Sequence, residues 1–274
     1  MDNLKKVESH YKFGENWKDF STQINNARIE AAQQGLIKLF GPEGLSGKTF
    51  LDIGCGSGLS TLAAILLGAK KVVSIDIDEV SVATTTRLLQ HYKVSNKAHV
   101  ETLSVFDMHQ RPDIIQQFDV VYSWGVLHHT GNLAEAMQLA KRCVKPGGLL
   151  MLALYNKTTM CSFWAKEKKI YVASPFVLKR LFEFIFQIIH AFRLLIKRRN
   201  VFKFYKGYQT RRGMSFIHDV RDWLGGYPYQ SISAQGCEKW AEENHMDIIN
   251  SFALPPSFGL LGSGCHEYVF KVKD

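Results

Sequence analysis

Cysteine and proline are both scarce: the 274 residues hold five Cys and seven Pro. The cysteines (Cys55, Cys143, Cys161, Cys237, Cys265) contain no CxxC pair. That argues against a disulfide scaffold and a zinc site, and fits reduced thiols, so no metal is expected. No run of 18 apolar residues is free of charge, so no transmembrane helix is expected. Residues 1–17 are polar and charged, with no secretory signal visible, so a cytoplasmic protein is the expectation. Internal repeats and low-complexity tracts are also missing. What is there is ordinary for a globular chain: 46% hydrophobic and 22% charged residues. The length suits one large domain, or one domain with an insert.

Charge is unevenly placed. Residues 1–156 carry 16 Lys/Arg against 15 Asp/Glu, whereas 157–274 carry 18 against 10. Residues 166–212 alone hold 13 basic and two acidic residues. A basic segment beside a neutral one points to an anionic partner or a solvated helix face.

Apolar runs alternate with helical patterns over the first part of the chain. Strand-like runs occur at 49–53, 71–76, 98–103, 118–124 and 149–155. Helical stretches lie between them at 59–67, 79–92 and 132–143. This alternation predicts βαβ units and a parallel sheet covered on both faces. The rhythm breaks after Tyr155. Residues 156–234 hold a basic, aromatic helix at 175–199 and a loop rich in Gly, Tyr and Trp. It resumes with a helix at 235–245 and two β-rich runs, 247–254 and 266–272, which read as an antiparallel edge pair. Four segments follow: an N-terminal helical segment (1–46) over the cofactor site, a Rossmann-like core (47–155), a cap insert (156–234), and a closing helix and strand pair (235–274).

The chemistry is carried by Leu51-Asp52-Ile53-Gly54-Cys55-Gly56-Ser57-Gly58, which follows a strand and opens a helix. Gly54, Gly56 and Gly58 let the backbone approach a ligand, and the helix N-terminus presents free N–H groups. The spacing is GxGxG, with Asp52 two residues ahead, rather than the dinucleotide GxGxxG. It suits a ligand with amino acid and nucleoside parts. Asp76, at the next strand's end, can accept both ribose hydroxyls. Asp107 reads equally as an acceptor for an adenine amine or as a turn residue.

In order, LDIGCGSG (51–58), SIDID (74–78), SVFD (104–107), FDVVYSWGVLHHT (118–130) and VKPGGLLMLALY (144–155) resemble the motifs of class I S-adenosylmethionine-dependent methyltransferases. The resemblance implies a seven-stranded sheet in the order 3-2-1-4-5-7-6 and S-adenosyl-L-methionine as cofactor. It implies cofactor contacts from Asp52, Gly54, Cys55, Gly56, Gly58, Asp76, Ile77, Asp107, Met108, Trp124 and Gly125. A looser likeness, in RGMS (212–215), His218-Asp219, DWLGGYPY (222–229) and GCHEY (264–268), is to a bacterial subgroup of small-molecule methylases. Ser123-Trp124-Gly125-Val126 lacks the (D/N)PP(Y/F) tetrad of many amino-methyltransferases, which counts against nucleic acid as acceptor.

A hydroxyl acceptor needs a base near its proton. The candidates are His128, His129 and the pair His218 and Asp219, the last two reading equally as a base with its orienter or as a capping pair. Arg212, Trp223, Tyr227 and Tyr229 are candidates for the acceptor pocket. The 175–199 helix has one narrow polar stripe. It reads first as a cap helix buried on the core or on a second subunit, and second as an interfacial helix on anionic lipid. The expected function is O-methylation of a small, anionic or lipid-like acceptor. The alternatives are an RNA methyltransferase using the basic insert and a nicotinamide-dependent oxidoreductase.

Overall fold

A computed structural model describes residue 11 and residues 13–208 and 215–273. Its centre is a seven-stranded sheet in the order β3-β2-β1-β4-β5-β7-β6. The strands are β1 (Thr49–Ile53), β2 (Lys71–Asp76), β3 (Ala98–Thr102), β4 (Phe118–Trp124), β5 (Val144–Tyr155), β6 (Met246–Phe252) and β7 (Cys265–Val272). β1 to β5 pair in parallel, and β7 runs antiparallel to both β5 and β6. This is the doubly wound arrangement expected from the strand–helix alternation. β5 begins earlier than its apolar run, because Val144 pairs with Phe118 before a register shift lets Leu149 pair with Val120.

Two-residue periodicity sorts the strands' side chains to two faces. Phe50, Val72, Val120, Met151 and Val269 turn to one face, against α2 (Asn26–Phe40), α3 (Leu59–Leu66) and α4 (Glu79–His91). Leu51, Val73, Val121, Leu150 and Phe270 turn to the other, against α5 (Leu133–Arg142) and α10 (Ala234–Glu243). Both faces are apolar because both are covered. Helix starts follow local chemistry: Asn25, Asp78 and Asn132 each accept a hydrogen bond from a first-turn amide, a cap worth about 1 kcal/mol.

The insert leaves and returns at the carboxyl end of β5. The Ile232 amide donates to the Tyr155 carbonyl and the Lys157 amide to the Ile232 carbonyl. Between them lie α6 (Cys161–Ala173), α7 (Phe176–Ile196), α8 (Val201–Lys206) and α9 (Phe216–Gly225). Within the Gly-Tyr-Trp-rich stretch read as a loop, helix α9 runs to Gly225. Its apolar face (Val220, Leu224) packs on Tyr171 in a small core of its own. The insert meets the N-terminal helix α1 (Phe13–Ser21) through His218, whose Nε2 lies 3.0 Å from Asp19.

Candidate active site

The carboxyl ends of β1, β2 and β4 open into a cavity of about 1300 Å³, roofed by α1, α2 and the inner side of the insert. The β1–α3 loop forms its floor. Gly58 caps α3 in the left-handed conformation (φ 80°), and a Cβ there would stand 2.9 Å from the Thr85 backbone. Only glycine permits both the turn and the close approach of α3 to α4. Gly56 faces the cavity with the Trp17 indole 3.2 Å from where its Cβ would be.

Two carboxylates organise this floor. The Gly56 amide donates to Asp76 Oδ2 at 3.0 Å and the Asp78 amide to Oδ1 at 2.9 Å. Asp76 thus ties the glycine loop to the β2–α4 corner. Asp78, beside it, is the residue that caps α4, and it also accepts the Gly14 amide of α1 at 3.0 Å. Asp52 is 2% exposed, and its Oδ2 accepts the Thr61 hydroxyl at 2.7 Å. Burial pushes both acids up, Asp52 to about 7 and Asp76 to about 6, against the opposing pull of these hydrogen bonds.

At the far side, Trp124, Gly125, Val126 and His129 lie between the glycine loop and the insert's Trp223, Asp219 and Asp222. His129 Nδ1 lies 2.8 Å from the Pro228 carbonyl. A carbonyl can only accept, so Nδ1 carries a proton.

A family model described as a methyltransferase domain matches residues 25–240. The chain belongs to that methyltransferase-domain family. Curated relatives agree over part of their length. The ribosomal protein L11 methyltransferase of Photobacterium profundum is 38% identical over 109 residues, 40% of this chain and 34% of that protein. A tRNA U34 carboxymethyltransferase of Idiomarina loihiensis is 34% identical, over 39% of this chain and 33% of that protein. The ubiquinone biosynthesis O-methyltransferase of Pseudomonas paraeruginosa is 32% identical, over 44% and 50%. The chain thus spans a third to a half of these relatives. Among solved structures, an S-adenosylmethionine-dependent methyltransferase from Mesorhizobium loti superposes with a TM-score of 0.53 at 13% identity, covering 90% of this chain and 98% of that one. The magnesium protoporphyrin IX methyltransferase of Synechocystis, solved with S-adenosylhomocysteine, gives 0.52 at 15% identity, covering 90% and 84%. At such identity these two share its fold.

S-adenosyl-L-methionine is the cofactor that a methyltransferase domain of this fold implies, and the residues present fit it. Glu15, Asp52, Asp76, Asp78 and Glu79 all line the glycine-loop end of the cavity. That acidic set suits a ligand with a sulfonium and an ammonium, and opposes the pyrophosphate of a nicotinamide dinucleotide. Arg28, in the same wall, is 4% exposed. Its guanidinium donates to the Gln23 carbonyl and side chain, and among the described residues no carboxylate pairs with it. Among the described residues it is the one buried Lys or Arg that lines the cavity. Sequence reasoning missed it, because an isolated Arg on a helix carries no motif.

The residues predicted from the sequence divide cleanly. Asp52, Gly54, Cys55, Gly56, Asp76, Ile77, Trp124, Gly125, His129, Asp219 and Trp223 line the cavity. Gly58 shapes the loop from behind. Met108 is fully buried, 3.9 Å from the Cys143 sulfur, so its side chain belongs to the core and not to the cavity lining. Asp107 is exposed and outside the lining, where Ser104, Val105 and Phe106 stand instead. Residues 105–110 form a 3₁₀ helix, in which i and i+3 eclipse; Val105 and Met108 therefore turn into the core together. His128 is also sealed. Its Nδ1 accepts the Tyr155 amide at 3.2 Å and its ring stacks on Tyr155 at 3.7 Å, so its lone pair is spent inside the fold.

His218 is not a base oriented by Asp219. It is 1% exposed, held by Ser215 at 2.7 Å and Asp19 at 3.0 Å, and Asp219 instead accepts the Tyr208 hydroxyl. Tyr227 and Tyr229 lie outside the lining; Tyr229 packs on Tyr155, with its hydroxyl 3.3 Å from the Cys161 sulfur. Arg212 lies outside the described residues. Glu267, not among the predicted site residues, lines the cavity, accepting the Trp124 indole N–H at 3.0 Å and the Lys38 ammonium at 2.7 Å. Strand alternation conceals it, since neighbouring His266 is fully buried.

Proposed function

We propose that this chain transfers a methyl group from S-adenosyl-L-methionine to a hydroxyl of a small, partly apolar acceptor. The carrying observation is the single cavity that joins an acidic glycine-loop end to an aromatic end built by the insert, with His129 between them. Asp76 would hold the ribose hydroxyls, Asp52 and the loop the amino acid part, and Arg28 its carboxylate. When bound, S-adenosyl-L-methionine supplies a methyl on a sulfonium, whose leaving group is a neutral thioether.

The protein's own part is alignment, exclusion of water and handling of one proton. His129 Nε2 would take the acceptor hydroxyl's proton as the hydroxyl oxygen accepts the methyl that S-adenosyl-L-methionine would supply, the thioether sulfur keeping the bonding pair. The Pro228 carbonyl then helps by holding the Nδ1 proton in place, so the imidazolium formed is oriented and partly neutralised. Phe186, Phe216 and Trp223 give the acceptor end its apolar surface, and Asp219 and Asp222 its polar points.

Titration calorimetry with S-adenosylhomocysteine and with NADH tests the reading. Micromolar binding of the first alone, lost in Asp76→Ala, supports it. Binding of NADH alone would sink it.

A further inference from the structure

Helix α7 is turned the opposite way from a cap helix. Its polar stripe faces the protein: Glu183 is 5% exposed, accepting the Tyr171 hydroxyl at 3.1 Å, Arg180 at 2.7 Å and Arg221 at 3.3 Å. His190, on the same side, lines the cavity with Phe186. The opposite side is apolar and open. Val177, Leu181, Phe184, Ile188, Phe192 and Leu195 recur at three- and four-residue steps, and each is 51–75% exposed. An uninterrupted apolar stripe of five turns is far more than a monomer leaves to water without use.

The charges around it have one sign. Between residues 176 and 208 the sole acid is Glu183, already consumed in ion pairs. Arg193, Lys197, Arg198, Arg199, Lys203 and Lys206 are all exposed. Phe202, on α8 beside them, is 90% exposed. Among the described residues no helix is long and apolar enough to cross a membrane, and none of them covers the stripe. A second copy of the chain would set the same cationic surface against itself in a two-fold pairing.

We propose that the outward face of α7 and α8 docks in the plane of an anionic lipid bilayer, its apolar stripe in the acyl boundary and its cations at the headgroups. The cavity lies behind the same helix. This surface stands on exposure and charge alone, so it holds or fails separately from the methyl-transfer reading.

The test is flotation of the full chain with vesicles of phosphatidylcholine alone, or mixed equally with phosphatidylglycerol, at low and high salt. The expected result is flotation with the anionic vesicles only, released by salt. Lys197→Gln/Arg198→Gln/Arg199→Gln should lower partition about tenfold or more, and Phe184→Ser/Phe192→Ser should abolish it. Both variants should keep wild-type S-adenosylhomocysteine binding and circular dichroism; if the second misfolds, the wild-type lipid and salt dependence and the charge variant decide. Flotation that ignores lipid charge overturns the proposal. So does an absence of flotation, or a dimer in sedimentation velocity that Phe184→Ser/Phe192→Ser splits without any vesicle binding.

Discussion

Asp52 and Asp76 occupy a wall that removes them from water and holds them, through Thr61 and two backbone amides, where a cationic ligand would come. Both folded-state values, about 7 and about 6, stand above the ordinary carboxyl value of 3.8. Raised acids stabilise the fold while protonated. That contribution is complete below about pH 4 and is lost as pH rises through 6 and 7. The unliganded protein should therefore lose thermal stability from pH 5 to pH 8 on account of this pair. Ligand hydroxyls and ammonium need the ionised forms, so binding should release protons near pH 6 and tighten with rising pH. Calorimetry in buffers of different ionisation enthalpy measures that release, and Asp76→Asn should reduce it. Two further side chains separate binding from chemistry. Arg28→Met should weaken S-adenosylhomocysteine roughly tenfold or more, the worth of one charge-assisted hydrogen bond. His129→Asn should bind it unchanged and lower kcat about 10²–10⁴-fold on a hydroxyl acceptor; equal losses in binding and turnover would assign His129 to packing instead.

The β1–α3 turn shows how a local backbone requirement becomes a site. At φ 80°, Gly58 starts α3 while its missing Cβ leaves room for the Thr85 backbone of α4. Gly58→Ala should cost about 1–2 kcal/mol for the left-handed residue, with more from the clash, and should weaken cofactor binding by moving Gly56. A melting curve and a titration on the same preparation check both. This turn was legible in the sequence because glycine spacing, a preceding strand and a following helix restrict one another. So were the five parallel strands, whose apolar runs are bounded by turns. The insert was less legible. Its helices have no βα rhythm, and the polar stripe of α7 was visible without any sign of which side the protein would cover. Glu183 settles that: a buried carboxylate needs partners, and Tyr171 and Arg221, on α6 and α9, supply them. Likewise the motif did not show that residues 105–110 form a 3₁₀ helix, which turns Met108 inward and Asp107 out.

The whole molecule is joined across the cavity rather than around it. α1 touches the glycine loop through Trp17 against Gly56, the β2–α4 corner through Gly14 and Asp78, and the insert through Asn16, Asp19 and His218. Ligand in the cavity therefore contacts every part that α1 clamps, and its binding energy should appear as global stability. S-adenosylhomocysteine at a hundred times its Kd adds about 2.7 kcal/mol, which for a chain of this size is roughly 2–4 °C in Tm per kcal/mol. The same ligand should protect residues 13–21 from limited proteolysis. His218→Ala removes the buried link to Asp19 and Ser215 and should cost about 1–3 kcal/mol. If α1 couples the insert to the core, this variant should also lose the proteolytic protection while the sheet still binds ligand. Protection that survives would mean that α1 is held by the glycine-loop side alone, through Trp17 and the Gly14–Asp78 bond, and that the insert moves independently of the cofactor end.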